Sequence, residues 1–334
     1  MAEESADLRK EIDKLMIFFK SRDFNQIDSG IELIRGMEDP SIFEVLLDAC
    51  SINNEGKFVI NSLFSSNGIE QPYLDYTLLN LIAYAPEDSK LDDSLKRSNI
   101  ESLDLDFNGQ TYYVQGGEPF DFDDIQIGYF VSLPDCISSL TKLTKLSVLG
   151  GPLQNANALV NCYNLAKLEL AGCDSLKNVD FLPKLPNLTD LTLGFRRNDC
   201  AEEIDDEEIW EIVGESSIEN IDGIYSCSQL KRLTIERADF DIDSSKLSKL
   251  SNLTHLGLEE CAFIYNLDGL SNLTNLNSLS LRFWDEEGVG ENGYVRAAVN
   301  QSGGDSWTVE TDDRPSETIP NYEAVLVLVR KLLK

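Results

Sequence analysis

Histidine is nearly absent from this chain, with one residue, His255, in 334 positions. That excludes His-rich metal sites and leaves one imidazole for acid–base or nucleophilic chemistry. Basic residues are also scarce: 28 Lys and Arg stand against 59 Asp and Glu, for a net charge of −31. Such a field repels phosphate polyanions and anionic lipid, so neither nucleic acid nor a membrane is an expected partner. Seven cysteines (Cys50, Cys136, Cys162, Cys173, Cys200, Cys227 and Cys261) form no CxxC pair, and their odd number fits neither a disulfide frame nor a zinc knuckle. They read as small buried hydrophobes in a reducing compartment. No apolar run approaches the length of a membrane span. The opening MAEESADLRKEIDKL carries acids where a secretory leader needs a basic n-region and an apolar h-region. These features together lead to an expected cytoplasmic location. An apolar content of 42% is that of an ordinary globular chain with a large core.

Catalytic signatures are missing too. The chain has no GxSxG, HExxH, P-loop, or GxGxxG in a strand–helix context. His255 falls at an outward strand position of LTHLGL and Cys261 at the following turn, so they form no nucleophilic dyad. Abundant carboxylates alone do not make an enzyme, and no catalytic residue or cofactor is expected.

What is present is periodicity. The pattern LxxLxL recurs as Leu143/Leu146/Val148, Leu165/Leu168/Leu170, Leu188/Leu191/Leu193, Leu230/Leu233/Ile235, Leu253/Leu256/Leu258 and Leu276/Leu279/Leu281. Successive first residues lie 22, 23, 42, 23 and 23 positions apart. The double interval accommodates a degenerate unit beginning near Glu207, with Trp210, Ile212 and Ile218 at pattern positions. An earlier unit starts at Ile100 with Leu103 and Leu105, and the stretch to Leu143 has room for another near Phe120. The intervening halves agree as well: SLKNVDFLPKLPNL, SIENIDGIYSCSQL and FIYNLDGLSNLTNL carry apolar residues at matching offsets.

These residues resemble the leucine-rich repeat family, in units of 22 or 23 residues. The resemblance implies an α/β solenoid, a leucine-rich repeat horseshoe with a parallel concave sheet and short returns on the convex side. It covers residues 100–311 in about nine units. The family's Asn after the strand is replaced by Cys173 and Cys261 in two units. Three NLT triplets, at Asn187, Asn252 and Asn272, resemble glycosylation sequons but are read as repeat consensus just before the strand.

Residues 1–99 carry helical patterns and are expected to form an all-α N-terminal cap domain. Leu8, Ile12, Leu15, Met16 and Phe19 form one stripe, and Asp39-Pro40 opens a helix with Phe43, Leu46, Leu47 and Cys50 inward. Pro72 starts another helix carrying Leu74, Leu78, Leu79 and Ile82. An independent binding domain is the other reading of this region. At the far end, residues 312–334 contain EAVLVLVRKLLK, expected to close the last repeat as a C-terminal capping helix, with SWTVET before it as a final strand.

Strand alternation turns the residues between the leucines outward. In the last full units these are Arg232, Glu236 and Arg237, then His255, Glu259 and Glu260, then Arg282 and Phe283 with Trp284 beside them. Arg and aromatic side chains anchor protein interfaces, which makes this set the candidate partner-binding surface. Glu236, Glu259 and Arg282 are expected in one ladder, and Arg237, Glu260 and Phe283 in the next. Phe283 and Trp284 tucked under the C-terminal helix is the competing reading. The run Asp104-Leu-Asp106-Phe-Asn108-Gly109 matches the start of an EF-hand loop, but Gln115 holds the twelfth position and the run overlaps a repeat strand. It is read as a strand face, with calcium as a weak alternative and no metal assigned. Residues 199–215 hold nine acids and no base, a solvated loop or a docking segment for a basic partner.

The expected function is non-catalytic protein binding on the concave face, by a partner with a basic surface. Two alternatives remain open: a regulatory or targeting subunit of an enzyme complex, similar to the phosphatase regulators of this family, and a calcium-responsive structural protein.

Overall fold

The computed structural model describes residues 2–37, 41–71, 73–107, 131–150, 153–172, 176–195, 218, 220–238, 240–259, 261, 263–265, 267–284, 294–301, 307–311 and 314–319. The chain divides into two compact units, Met1–Leu165 and Ala166–Lys334. The helical region and the first repeats share the first of these units.

The first unit opens with α1 (Ala2–Phe19), α2 (Phe24–Arg35) and α3 (Ser41–Leu47). Ile12, Leu15, Met16 and Phe19 form the buried stripe of α1, and Ile27, Ile31 and Ile34 that of α2, at the spacing of one helix face. Asp23 starts α2 by accepting a hydrogen bond from the Asn25 amide. The two helices approach closely at Gly30, where a Cβ would lie 2.9 Å from Cβ of Phe18. Phe43, Leu46, Leu47 and Cys50 are buried as expected, while Asp39, Pro40 and Pro72 lie outside the described residues. A small antiparallel hairpin, β1 (Ser51–Ile52) with β2 (Phe58–Val59), adds strand structure to a region expected to be all helical. Next come α4 (Ser62–Asn67), ended by Gly68 at φ 64°, and α5 (Tyr73–Tyr84), buried on nearly every side.

The repeats begin with β3 (Ser102–Phe107). Then follow β4 (Val131–Ser132), β5 (Lys145–Gly150) and β6 (Leu153–Asn155). β3 pairs parallel to β5, and β4 pairs parallel to β6. Leu103, Leu105, Phe107, Leu146 and Val148 point into the core. Ser102 sits opposite Lys145, so β3 and β5 are direct neighbours, and the unit expected near Phe120 lies outside the described residues. α5 lies against β3 and the short helix Asp135–Ser139, where the Cys136 thiol donates to Asn80 Oδ1 at 3.3 Å.

The second unit carries β7 (Lys167–Ala171), β8 (Asp190–Gly194), β9 (Arg232–Glu236), β10 (Asp241–Asp243), β11 (His255–Glu259), β12 (Phe263–Tyr265) and β13 (Ser278–Trp284). β7, β8, β9, β11 and β13 run parallel in that order, and β10 pairs with β12. β8 bonds directly to β9, with Asp190 opposite Arg232. The degenerate unit expected near Glu207 is thus an insertion within one repeat: nothing separates the two strands. Ile218, Ile221, Ile224 and Cys227 are buried and stand 42 positions after the buried Leu176, Val179, Leu182 and Leu185. Trp210 and Ile212 lie outside the described residues. Fewer units than the nine expected therefore follow from the register.

After β13 the direction changes. β14 (Tyr294–Gln301), β15 (Trp307–Thr311) and β16 (Arg314–Ile319) pair antiparallel in succession. SWTVET supplies β15 as expected, but Arg314–Ile319 is a strand and not part of a capping helix. The helix expected over EAVLVLVRKLLK lies outside the described residues.

Stacking is held by two side-chain ladders as well as by leucine. Asn164, Gln229, Asn252 and Asn275 each stand one residue before the first Leu of a strand motif. Their amides donate to the carbonyls of Thr141, Leu185, Ser228 and Ser251 in the preceding repeat, at 2.7–2.9 Å. One residue after that Leu, the hydroxyls of Thr144 and Thr254 donate to the carbonyls of Glu101 and Lys231, and that of Thr189 lies 3.3 Å from the Ala166 carbonyl. An NLT triplet is one rung of both ladders around a core Leu. Asn252 fits this, but Asn272 does not: it stands three residues before Asn275, so it is not a member of the ladder. Cys261 fills the turn position as expected, its thiol donating to the Ile235 carbonyl at 3.4 Å. Cys173 lies outside the described residues.

The returns are packed as tightly as the strands. A Cβ on Gly223 would fall 2.3 Å from the Val179 carbonyl oxygen, a backbone atom that cannot swing aside. Gly223→Ala is expected to lower stability by about 1–3 kcal/mol, read as a lower midpoint in urea. An unchanged midpoint would contradict this packing.

Candidate functional site

The outward face of the second unit is organised as rows across its strands, because equivalent positions in neighbouring strands stand about 4.8 Å apart. The first row runs Lys167, Asp190, Arg232, His255, Ser278. The middle row runs Glu169, Thr192, Thr234, Gly257, Ser280, and the last Ala171, Gly194, Glu236, Glu259, Arg282. The alternation that buries Leu168, Leu191, Leu233, Leu256 and Leu279 turns the residues of these rows up to Ser280 outward, and Arg282 is placed by backbone register alone.

In the first row, Arg232 is engaged by an ion pair from its Nε to Asp190 Oδ1. Asp190 also accepts from the Thr189 hydroxyl at 2.7 Å. Arg232, expected in the partner-binding set, forms a charge pair across β8 and β9 and stays exposed. His255 is exposed, and its Nδ1 is 2.8 Å from the Thr254 hydroxyl. That hydroxyl belongs to the Thr ladder, which ties the ring to the repeat frame.

In the last row, Glu236, Glu259 and Arg282 do share one register line, as expected. Glu236 and Glu259 are half-buried, and Glu259 Oε1 accepts from the Ser280 hydroxyl at 3.0 Å. Beside them the middle row is low. Gly257 faces Thr234, and a Cβ there would meet the Thr234 methyl at 3.2 Å. Two carboxylates therefore rise at the margin of a floor made by Thr192, Thr234 and Gly257.

The second expected ladder is only partly present. Arg237 is exposed and holds a left-handed backbone at φ 59°, the conformation Gly172 takes at φ 65° two repeats earlier. Its amide donates to the Glu259 carbonyl at 2.7 Å. Glu260 lies outside the described residues. Phe283 and Trp284 pair in backbone register with Val295 and Tyr294 of β14, and Arg282 with Arg296.

The weak calcium candidate is taken up by other contacts. Asp104 pairs with Lys57 Nζ at 3.4 Å, and the Asp106 amide donates to Asp75 Oδ2 at 2.8 Å. Asn108 lies outside the described residues, and among the described residues no cluster of His, Cys, Asp or Glu could hold a metal. Asp104 and Asp106 lie in β3. The acidic segment 199–215 also lies outside the described residues.

Sequence reasoning missed Asp190. It is outward in β8 directly opposite Arg232, and the signal was available only to an alignment that makes those two repeats neighbours. It also missed Asp75, whose place in the apolar α5 gives no sign that its carboxylate bonds a strand.

No protein-family model matches the chain, and no curated protein sequence matches it. Among solved structures, an internalin C2 from Listeria monocytogenes is 20% identical, covers 60% of this chain and 72% of its own, and has a TM-score of 0.38. An internalin (inlF) of the same organism is 15% identical, with 77% and 69% covered and a TM-score of 0.34. A leucine-rich repeat protein of Leptospira interrogans is 18% identical, with 57% of each chain covered and a TM-score of 0.24.

The five described cysteines are free and buried. Burial pushes the thiols of Cys136 and Cys261 up to about 12 and those of Cys162 and Cys227 up to about 11, and raises that of Cys50. With so little thiolate near neutrality, all five are expected to react with a thiol reagent at pH 8 only after unfolding. Rapid native labelling of any one of them would contradict the assignment. The parallel register, the 23-residue spacing and the buried LxxLxL residues form the repeating parallel-strand architecture that the leucine-rich repeat resemblance implies.

Proposed function

We propose that the protein is a non-catalytic protein-binding module whose partner docks on the outward face of β9, β11 and β13, the face that the family resemblance makes concave. The observation that carries this reading is the alignment of Glu236 with Glu259 beside the low floor of Thr234 and Gly257. Carboxylates presented on one outward face favour a partner of opposite charge. The complementary partner is a protein with a basic surface. By backbone register Arg282 of β13 continues the row of Glu236 and Glu259, and Phe283 and Trp284 follow it in sequence, the Arg and aromatic residue types that anchor interfaces.

The net charge of −31 supports a protein in preference to nucleic acid or an anionic membrane. Among the described residues no helix is long and apolar enough to cross a membrane. The free buried thiols fit a reducing compartment, so this reading assigns the protein to the cytoplasm.

The test is quantitative capture from native lysate with wild type and the Glu236→Lys/Glu259→Lys double variant, each confirmed folded by circular dichroism. The variant is expected to lose at least about tenfold in affinity for the main captured protein, or roughly 1.4 kcal/mol. Arg282→Ala and Phe283→Ala are each expected to cost about 1 kcal/mol or more. Equal capture by the folded variants would sink the proposed surface.

A further inference from the structure

We propose that the junction between the helical region and the first repeat is a proton-linked latch: α5 sits on β3 most firmly when the Asp75 side chain carries a proton, and the seat loosens as the medium is brought from mildly acidic up to neutral. Among the described residues of its unit β3 pairs with one strand, β5, and an uncovered strand edge presents unpaired amides. Two of those amides are covered from the helical region. The Asp104 amide donates to the Gly56 carbonyl at 3.1 Å, and the Asp106 amide donates to Asp75 Oδ2 at 2.8 Å. Gly56 reaches the strand because it has no side chain, since a Cβ would lie 3.1 Å from Leu103 Cα, and because it adopts φ +90°.

Asp75 is an unusual cover for an amide. It is 4% exposed, and its other oxygen accepts from Gln71 Nε2 at 2.8 Å. Two neutral donors do not offset the removal of a carboxylate from water, and the Asp106 and Asp104 carboxylates add repulsion. The nearby cation, Lys57, is paired with Asp104. On the other elements packed against α5, several charged groups have partners of their own. Asp28 of α2 accepts from the Tyr76 hydroxyl, Arg35 lies over the Tyr84 ring, and Glu44 of α3 accepts from the Lys90 amide. Lys14 of α1 pairs with Glu11, and Asp135 precedes Cys136, whose thiol is given to Asn80.

Burial first, then the neighbouring Asp106 and Asp104 charges, raise Asp75 from 3.8 to about 7, against the lowering effect of the Asp106 and Gln71 donors. With α5 unseated, the carboxyl returns to water and its ordinary value. The seated form therefore holds a proton that the open form releases. The stabilisation from that proton is fully present below about 3.8 and is lost as pH rises through about 7. Opening then uncovers the edge of β3 while the repeats behind it stay folded.

The experiment is hydrogen exchange of the full-length protein between pH 5 and pH 8, with EDTA present so that no divalent cation contributes, and with each rate divided by its intrinsic rate. Protection of the β3 amides is expected to fall by about tenfold per pH unit from pH 5 toward neutrality and then level off. The β8 amides serve as a reference and should stay flat. Asp75→Asn should abolish the dependence, and Asp106→Asn, which removes one of the repelling charges, should leave a smaller total fall. A wild-type β3 protection that does not change with pH overturns the latch, as does an equal fall in Asp75→Asn. Should Asp75→Asn fail to fold, the decision rests on Asp106→Asn, where an undiminished fall overturns it.

Discussion

A single repeat of this chain can satisfy neither its apolar edge nor its backbone carbonyls, and everything else follows from that shortage. Each strand motif places Leu side chains inward, yet a lone strand leaves them half-covered. Each turn before a strand leaves a carbonyl that the next repeat must reach. Asn252 and Thr254 do this one residue either side of Leu253, tying Ser228 and Lys231 into the following unit. Leucine supplies the free energy of burial and is indifferent to register, while the amide and hydroxyl rungs are directional and set it.

The same shortage explains why the helical region exists in the form it takes. The first repeat has no predecessor, so its strand edge must be covered by something unrelated. Gly56 and Asp75 perform for Asp104 and Asp106 what a previous strand would have done. The Cys136 thiol bonded to Asn80 continues the substitution at the level of the returns. In the second unit, β14, β15 and β16 follow the parallel strands as an antiparallel meander. On the outward face of that unit charge is sorted by row: Lys167, Asp190 and Arg232 alternate in sign in one, while Glu236 and Glu259 repeat it in another.

Much of this was legible in the sequence, because burial at period two and repetition at 23 residues are strong, redundant signals. The inward leucines, the outward Glu236 and Glu259, the helix stripes through Phe19 and Ile82, and the strand in SWTVET follow from pattern alone. The misreadings share a cause. Ile218, Ile221 and Ile224 carry the return pattern, and a 42-residue interval looks like two repeats with one blurred strand. Sequence cannot tell an insertion from a degenerate strand, since both leave the period intact. Placing a strand there separates Asp190 from Arg232, so the ion pair disappeared along with the correct count. Asp75 was hidden for a different reason: its partner is a backbone amide, and amides leave no mark in a sequence.

The account rests on the register of β8 against β9, which sets both the ion pair and the rows of the proposed surface. It is tested most directly by the variant carrying Thr192→Cys and Thr234→Cys, opposite each other in those strands. Adjacent strands bring the two Cα atoms within the roughly 7 Å that a disulfide can bridge, whereas an intervening strand would hold them about 10 Å apart. Mild oxidation of the folded protein is predicted to join them in high yield, seen as a linked peptide after proteolysis. Failure to join in a folded protein, under conditions that oxidise a Thr234→Cys/Gly257→Cys control pair, would contradict the register and the surface built on it.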